Sequence, residues 1–154
     1  KFLLIIKNMP PNHLNNIKLI KDELELQCGQ WSYISTDTHI VMVPAPPGPP
    51  VPTPLPHPFI GIINGNLSAD VKIMGMAAAT VDSTADNTPP HIPTPPGTAF
   101  QNPPANKATI KIGSPTVKIN GKMAARNSDM AQTCNDPADL PVGQVIAVGT
   151  VLIG

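Results

Sequence analysis

Nine of the fifteen residues from position 44 to 58 are proline. Each proline fixes φ near −65° and removes a backbone donor, so this stretch is no helix and reads poorly as a central strand. Its residues suit polyproline II. A second proline cluster occupies residues 89–104. Both clusters flank segments of alternating apolar residues, so they read as long ordered loops of one domain. The whole chain carries 21 Pro and 11 Gly in 154 residues, with aromatics at only 3%. So many breakers and so few large rings exclude a big helical or dinucleotide-binding core and leave a mainly β chain of short strands and loops. Ten Lys+Arg balance ten Asp+Glu. No basic footprint marks a nucleic-acid partner, and none is expected.

The opening apolar run, Phe2 to Ile6, is five residues long and has no small-residue cleavage site after it. It is too short for a membrane span and lacks the form of a signal peptide. Synthesis in a reducing bacterial cytoplasm is therefore expected. Cys28 and Cys134 show no CxxC spacing, so each is expected free or metal-bound. Residues 1–35 form an N-terminal extension of ordinary composition. Leu14, Ile17, Leu19, Ile20, Leu24 and Leu26 lie there among charged residues, and a short helix is expected over 19–26. Residues 36–154 form the second unit.

That unit repeats itself. Ser68-Ala69-Asp70-Val71-Lys72-Ile73-Met74-Gly75-Met76-Ala77-Ala78-Ala79 aligns without a gap on Ser114-Pro115-Thr116-Val117-Lys118-Ile119-Asn120-Gly121-Lys122-Met123-Ala124-Ala125. A truncated third copy closes the chain at Gly149-Thr150-Val151-Leu152-Ile153-Gly154. Each longer copy reads as a strand, a Gly turn and a short second strand. Repetition of this kind means one supersecondary unit used several times, with an internal pseudo-threefold as the natural arrangement. The alternating Val71/Ile73, Val117/Ile119 and Val151/Ile153 are expected in the core.

Gly113-Ser114-Pro115-Thr116-Val117, followed by Gly121 and by Ala124-Ala125-Arg126, resembles the signature of PAAR-repeat proteins, named for Pro-Ala-Ala-Arg. Met123 stands where that family has proline, and Asn127-Ser128-Asp129 where it usually has a Val-Gly-Asp type sequence. The proline-rich stretch before Pro56-His57-Pro58 is similar to the PAAR-like branch of contractile injection systems. The resemblance implies a small cone of short β-hairpins and Pro-rich loops with pseudo-threefold repeats. It implies one tip chain on a homotrimeric β-helical spike, of the VgrG or phage baseplate-spike type. Such a tip sharpens a type VI secretion system, a phage-like tail or an extracellular injection particle for membrane puncture. It rides the particle out of the cell or into the target, touching the target membrane only mechanically.

The same resemblance implies one structural zinc per chain, held by three His and one Cys. His39, His57, His91 and Cys134 lie in or beside loops expected to converge on the apex. Imidazole and thiolate suit zinc, and a closed four-ligand set supplies folding energy with no position left for catalysis. No nucleophile elbow or HExxH helix occurs, so no enzyme is expected. Arg126 is either an anchor for its hairpin or a solvated surface residue. Two further functions stay open: a tip that also docks an effector through residues 1–35, and a proline-rich interaction module unrelated to secretion.

Overall fold

The computed structural model describes residues 32–147, 149 and 151–154, and none of these residues is helical. The expected helix over 19–26, together with Cys28, lies outside the described residues. The protein is mainly β, as its composition requires.

Eleven strands occur among the described residues: β1 (Ser32–Val43), β2 (Val51–Gly65), β3 (Lys72–Ile73), β4 (Met76–Ala77), β5 (Thr84–Asn87), β6 (Ala99–Phe100), β7 (Lys107–Ile110), β8 (Lys118–Ile119), β9 (Lys122–Met123), β10 (Met130–Thr133) and β11 (Leu140–Ile146). Six of them form an antiparallel barrel in the order β11-β10-β7-β5-β2-β1, closed by pairing of β1 with β11. Closure removes the free edges that a short open sheet would present. β1 starts at Ser32, on the extension side of the boundary expected at residue 36.

β1 and β2 form a hairpin paired from Ser32↔Ile62 to Val43↔Val51, much longer than the other strands. β11 accompanies β1 only from Ser32 to Ile34, so the distal part of the hairpin extends past the barrel wall. Residues 88–106 run beside it as a loop with one short strand, β6, which pairs with β1 at Val41↔Phe100 and Met42↔Ala99. The second proline cluster is thus the ordered loop its composition implies.

The first cluster is not polyproline II throughout. Residues 44–50 make the turn, but Val51–Gly65 is strand β2. The correction has a simple cause. Pro52, Pro54, Pro56 and Pro58 fall at every second position, so all their side chains share the exposed face and all their missing donors lie on one edge. The odd-numbered residues keep their N–H groups for β1. On the other edge the proline carbonyls still accept, Pro56 from Thr94 Oγ1 at 3.2 Å and Pro58 from the His91 ring at 3.1 Å. A proline period of two is compatible with a strand that needs donors on one side only.

Around the barrel the register steps regularly. Tyr33 pairs with Val145 and Gly61, Ala85 with Ile63 and Ala108, and Ala131 with Ile110 and Gly143. Each of these inward residues sits between one branched aliphatic and one Gly or Ala. Tyr33 fills the interior that Ala85 and Ala131 leave open, and all three are fully buried. A Cβ on Gly61 would come within 2.6 Å of the Asp86 carbonyl, which explains the small residue there.

The two long sequence copies become two matching hairpins, β3–β4 and β8–β9. Their turns have the same left-handed pair, Met74 and Gly75 at φ 53° and 81°, and Asn120 and Gly121 at 52° and 80°. Their bonds repeat as well. Ser68 N–H donates to Ala78 O at 2.8 Å and Ser114 N–H to Ala124 O at 2.8 Å, while each serine Oγ accepts from Val71 or Val117 N–H at 3.1 Å. Val71, Ile73, Val117 and Ile119 are buried in the core, with Val151 and Ile153 packed against it.

The motif residues are accounted for by this hairpin. Gly113 is buried where a Cβ would lie 2.8 Å from Ala124 O, and Ala124 and Ala125 are fully buried. Pro115 and Thr116 form the exposed bend between Ser114 and Val117. Arg126 is an anchor: its guanidinium donates to both Asp129 oxygens, at 3.0 and 3.3 Å, and its N–H donates to Asp129 at 2.6 Å. Asp129 is buried, so this fork also neutralises its charge.

Candidate metal centre

Period-two alternation along β1 turns Tyr33, Asp37, His39 and Val41 inward, and along β2 it turns His57 and Phe59 inward. Asp37 lies directly opposite His57 in the register, with His39 one inward position further along. His91 arrives from the loop after β5, and Cys134 follows the last residue of β10. The polar layer lies between Phe59, whose ring is 6.0 Å from that of His91, and Phe100, 5.2 Å from His57 and 5.7 Å from His39.

All four residues expected as ligands meet here. The imidazole centroids of His39, His57 and His91 are 4.8 to 5.6 Å apart. His39 Nε2 is 3.0 Å from His91 Nδ1 and 4.0 Å from Cys134 Sγ. Asp37 joins them, its Oδ2 3.5 Å from Cys134 Sγ. One ligand atom from each of Asp37, His39, His91 and Cys134 lies within 4.8 Å of the others. His57 is outside that tightest group, and both its nitrogens are engaged: Nδ1 with Leu55 O at 2.9 Å, and Nε2 as acceptor from Thr94 N–H at 3.2 Å.

The outer partners hold each ring the same way. His39 Nδ1 faces Asp136 Oδ2 at 3.6 Å, His57 Nδ1 faces the Leu55 carbonyl, and His91 Nε2 faces the Pro58 carbonyl. For His39 and His91 the other nitrogen is the one left for the interior, whereas His57 Nε2 accepts from the Thr94 N–H. Metal-ligating histidines show this arrangement, because an outer acceptor fixes the tautomer and makes the inner nitrogen a better donor.

The electrostatics favour the forms a cation binds. Burial pushes His39 below the ordinary imidazole value, and the neighbouring His57 adds to the shift against the pull of Asp136 and Asp37. His91 is lowered chiefly by burial and then by His39. Both rings are thus held neutral, each with one unprotonated nitrogen. Burial, reinforced by the Asp37 charge, raises the Cys134 thiol to about 11, while the Asn106 and Lys107 N–H groups oppose this. A bound cation would displace that proton, and those two N–H groups would then support the thiolate. Cys134 is a free, buried thiol. The donor set fits a borderline-soft divalent ion: two or three imidazoles, one thiolate and one carboxylate, enclosed by apolar rings.

Asp37, Thr133, Asn135 and Asp136 were not among the residues singled out by sequence. Asp37 is fully buried and accepts from Thr133 Oγ1 at 2.5 Å and from Asn135 Nδ2 at 3.5 Å. Asn135 also accepts the Thr38 N–H at 2.7 Å, locking the Cys134 loop to β1. The available signal for Asp37 was its spacing, two residues before His39 on the same strand face. The class defined by fold and site is a small all-β barrel with a buried His/Cys/Asp cluster able to hold a metal ion. No protein-family model, curated protein or solved structure matches the chain.

Proposed function

We propose that this chain is the tip of a contractile injection machine, a non-enzymatic cap on a homotrimeric β-helical spike. The observation that carries the reading is the barrel register: Tyr33, Ala85 and Ala131 occupy three corresponding places around one closed sheet. A single chain with internal threefold order can meet three identical subunits at once, and the two matching hairpins supply two of three equal contacts. The PAAR-like residues from Gly113 to Arg126 lie in one of those hairpins. One structural zinc per chain, held by His39, His57, His91 and Cys134, staples the distal hairpin to the loops beside it. His57 completes the set once its Nε2 gives up the Thr94 N–H. The staple compensates for the small apolar core of a narrow end.

A proline-rich interaction module is the weaker alternative, since residues 51–58 of the first proline run pair with β1 as part of strand β2. Effector docking through the N-terminal residues is the alternative role.

The deciding experiment mixes the purified chain with a homotrimeric β-helical spike and measures composition by mass. One tip chain per trimer and about one zinc per chain are expected. A three-to-three complex, or no complex, overturns the cap. A folded chain that excludes zinc overturns the staple.

A further inference from the structure

Asp37 is a fully buried carboxylate with no Lys or Arg at ion-pair distance among the described residues. A buried carboxylate is costly unless it is paired or binds a metal. Its two oxygens are used differently. Oδ1 accepts from Thr133 Oγ1 at 2.5 Å, Ser35 Oγ at 3.3 Å and Asn135 Nδ2 at 3.5 Å. Among the described residues Oδ2 faces only Cys134 Sγ, at 3.5 Å. One oxygen is anchored and the other is turned to the cluster, the same division that His39 and His91 show between their nitrogens. His57 is held otherwise. Its Nε2 accepts the Thr94 N–H, and Thr94 is tied in turn to Pro56 O through its hydroxyl at 3.2 Å. His57 therefore reaches an ion only after Thr94 is released, whereas Asp37 has no such bond to break.

We propose that Asp37 is a direct metal ligand and that this centre has two ligand sets sharing His39, His91 and Cys134. Asp37 completes one set while His57 keeps Thr94, and His57 completes the other once Thr94 is released. The Asp37 set is the one the fold has already assembled, its four ligand atoms lying within 4.8 Å of one another. It also ties separate parts of the sheet together. β1 supplies Asp37 and His39, the loop after β5 supplies His91, and Cys134 follows β10. Two imidazoles, one thiolate and one carboxylate make a closed four-donor set of the kinds of group that bind zinc. With the Cys134 proton lost to solvent, thiolate and carboxylate together balance a divalent charge, which suits a buried site. Oδ1 keeps its three donors in either set, so the carboxylate stays hydrogen-bonded when His57 takes over.

The inference rests on the metal-staple part of the reading above and not on the spike. Cobalt(II) is the probe, since its absorption reports both thiolate ligation and the donors around it. Each chain is first checked for native circular dichroism without metal. His57→Gln, which keeps an acceptor for the Thr94 N–H, should still bind one cobalt per chain with the thiolate absorption. Asp37→Asn should bind cobalt through the His57 set, with visible bands shifted from those of the wild-type complex. The double variant should lose affinity by more than about 100-fold relative to His57→Gln, beyond the usual cost of losing an outer partner. A folded His57→Gln chain that takes no cobalt overturns the inference, as does a double variant within that limit. Wild-type bands in Asp37→Asn overturn it as well, because the ion then never meets the carboxylate. A wild-type chain that binds no cobalt removes the staple itself, a failure separate from the others.

Discussion

Asp136 uses one oxygen for two tasks. Oδ2 accepts the Ile40 N–H at 2.9 Å and faces His39 Nδ1 at 3.6 Å, so the carboxylate ties the Cys134 loop to β1 and orients the ring that points at the cluster. It touches no candidate ligand atom and is a positioning residue. Replacing it by Asn keeps the size and an acceptor for Ile40 but removes the charge behind the imidazole. Asp136→Asn is expected to weaken zinc binding about 10- to 100-fold, the usual cost of losing an outer partner. Competition against a chromophoric chelator would measure it. Unchanged affinity in the folded variant would mean that His39 is oriented by its packing against His57, His91 and Phe100 alone.

At the scale of elements, the same hairpin is written twice with different tolerance for its turns. After each hairpin the chain passes through a second left-handed residue, Asp82 at φ 72° and Ser128 at φ 69°, before entering β5 or β10. The side chain three residues after Thr80 or Arg126 closes this bend, Ser83 Oγ accepting the Thr80 N–H at 3.0 Å and Asp129 the Arg126 N–H at 2.6 Å. Ser128 is exposed, so its side chain contributes little burial to offset the backbone conformation. Ser128→Gly is therefore expected to stabilise the protein by about 0.5–1 kcal/mol, the left-handed cost less the extra freedom of the unfolded chain. A shift of the urea midpoint to higher concentration at unchanged slope would record it. The residue that departs from the PAAR-like pattern at this bend is thus the one carrying strain.

For the whole molecule, the His/Cys cluster makes stability depend on pH when no metal is bound. His39 and His91 are lowered from 6.5, so below that pH the unfolded chain takes up protons that the folded chain refuses, and stability falls as pH drops. Cys134 is raised from 9.0 to about 11, so above pH 9 the unfolded chain loses a proton that the folded chain keeps, and stability falls again. Urea midpoints of the chelator-treated chain should form a plateau between about 6.5 and 9 with a decline on each side. Zinc should extend the plateau downward in pH, because protons must then compete with the metal for the imidazoles. A midpoint that stays level from pH 7 to 5 in the metal-free chain would remove the neutral-histidine account of the cluster.

Much of the fold and half of the site could be read in the chain, for identifiable reasons. Alternation at Val71/Ile73 and Val117/Ile119, with Gly75 and Gly121 at fixed offsets, is local information, and it yielded two hairpins and their buried faces. The four residues His39, His57, His91 and Cys134 came from resemblance, and the structure brings them together with Asp37 added. The first proline run was misread because a single proline is a poor strand residue, whereas strand β2 depends on where its neighbour lies. With β1 on one side only, prolines at every second position cost β2 no bond it needs.

The sequence by itself determined the mainly β class, the repeated hairpins and the supply of metal-binding side chains, because periodicity and turn chemistry act over a few residues. Only the tertiary structure decided that six strands close into a barrel and that β2 is a strand. It alone decided that Asp37 joins the candidate metal cluster with Asp136 behind His39, and that His39 and His91 each turn one ring nitrogen toward it. The closure and the cluster rest on pairs roughly 50 residues or more apart, such as Ser32 with Ile146, Asp37 with Cys134 and Ile40 with Asp136. No local pattern records such pairs, since they exist only once the sheet has closed.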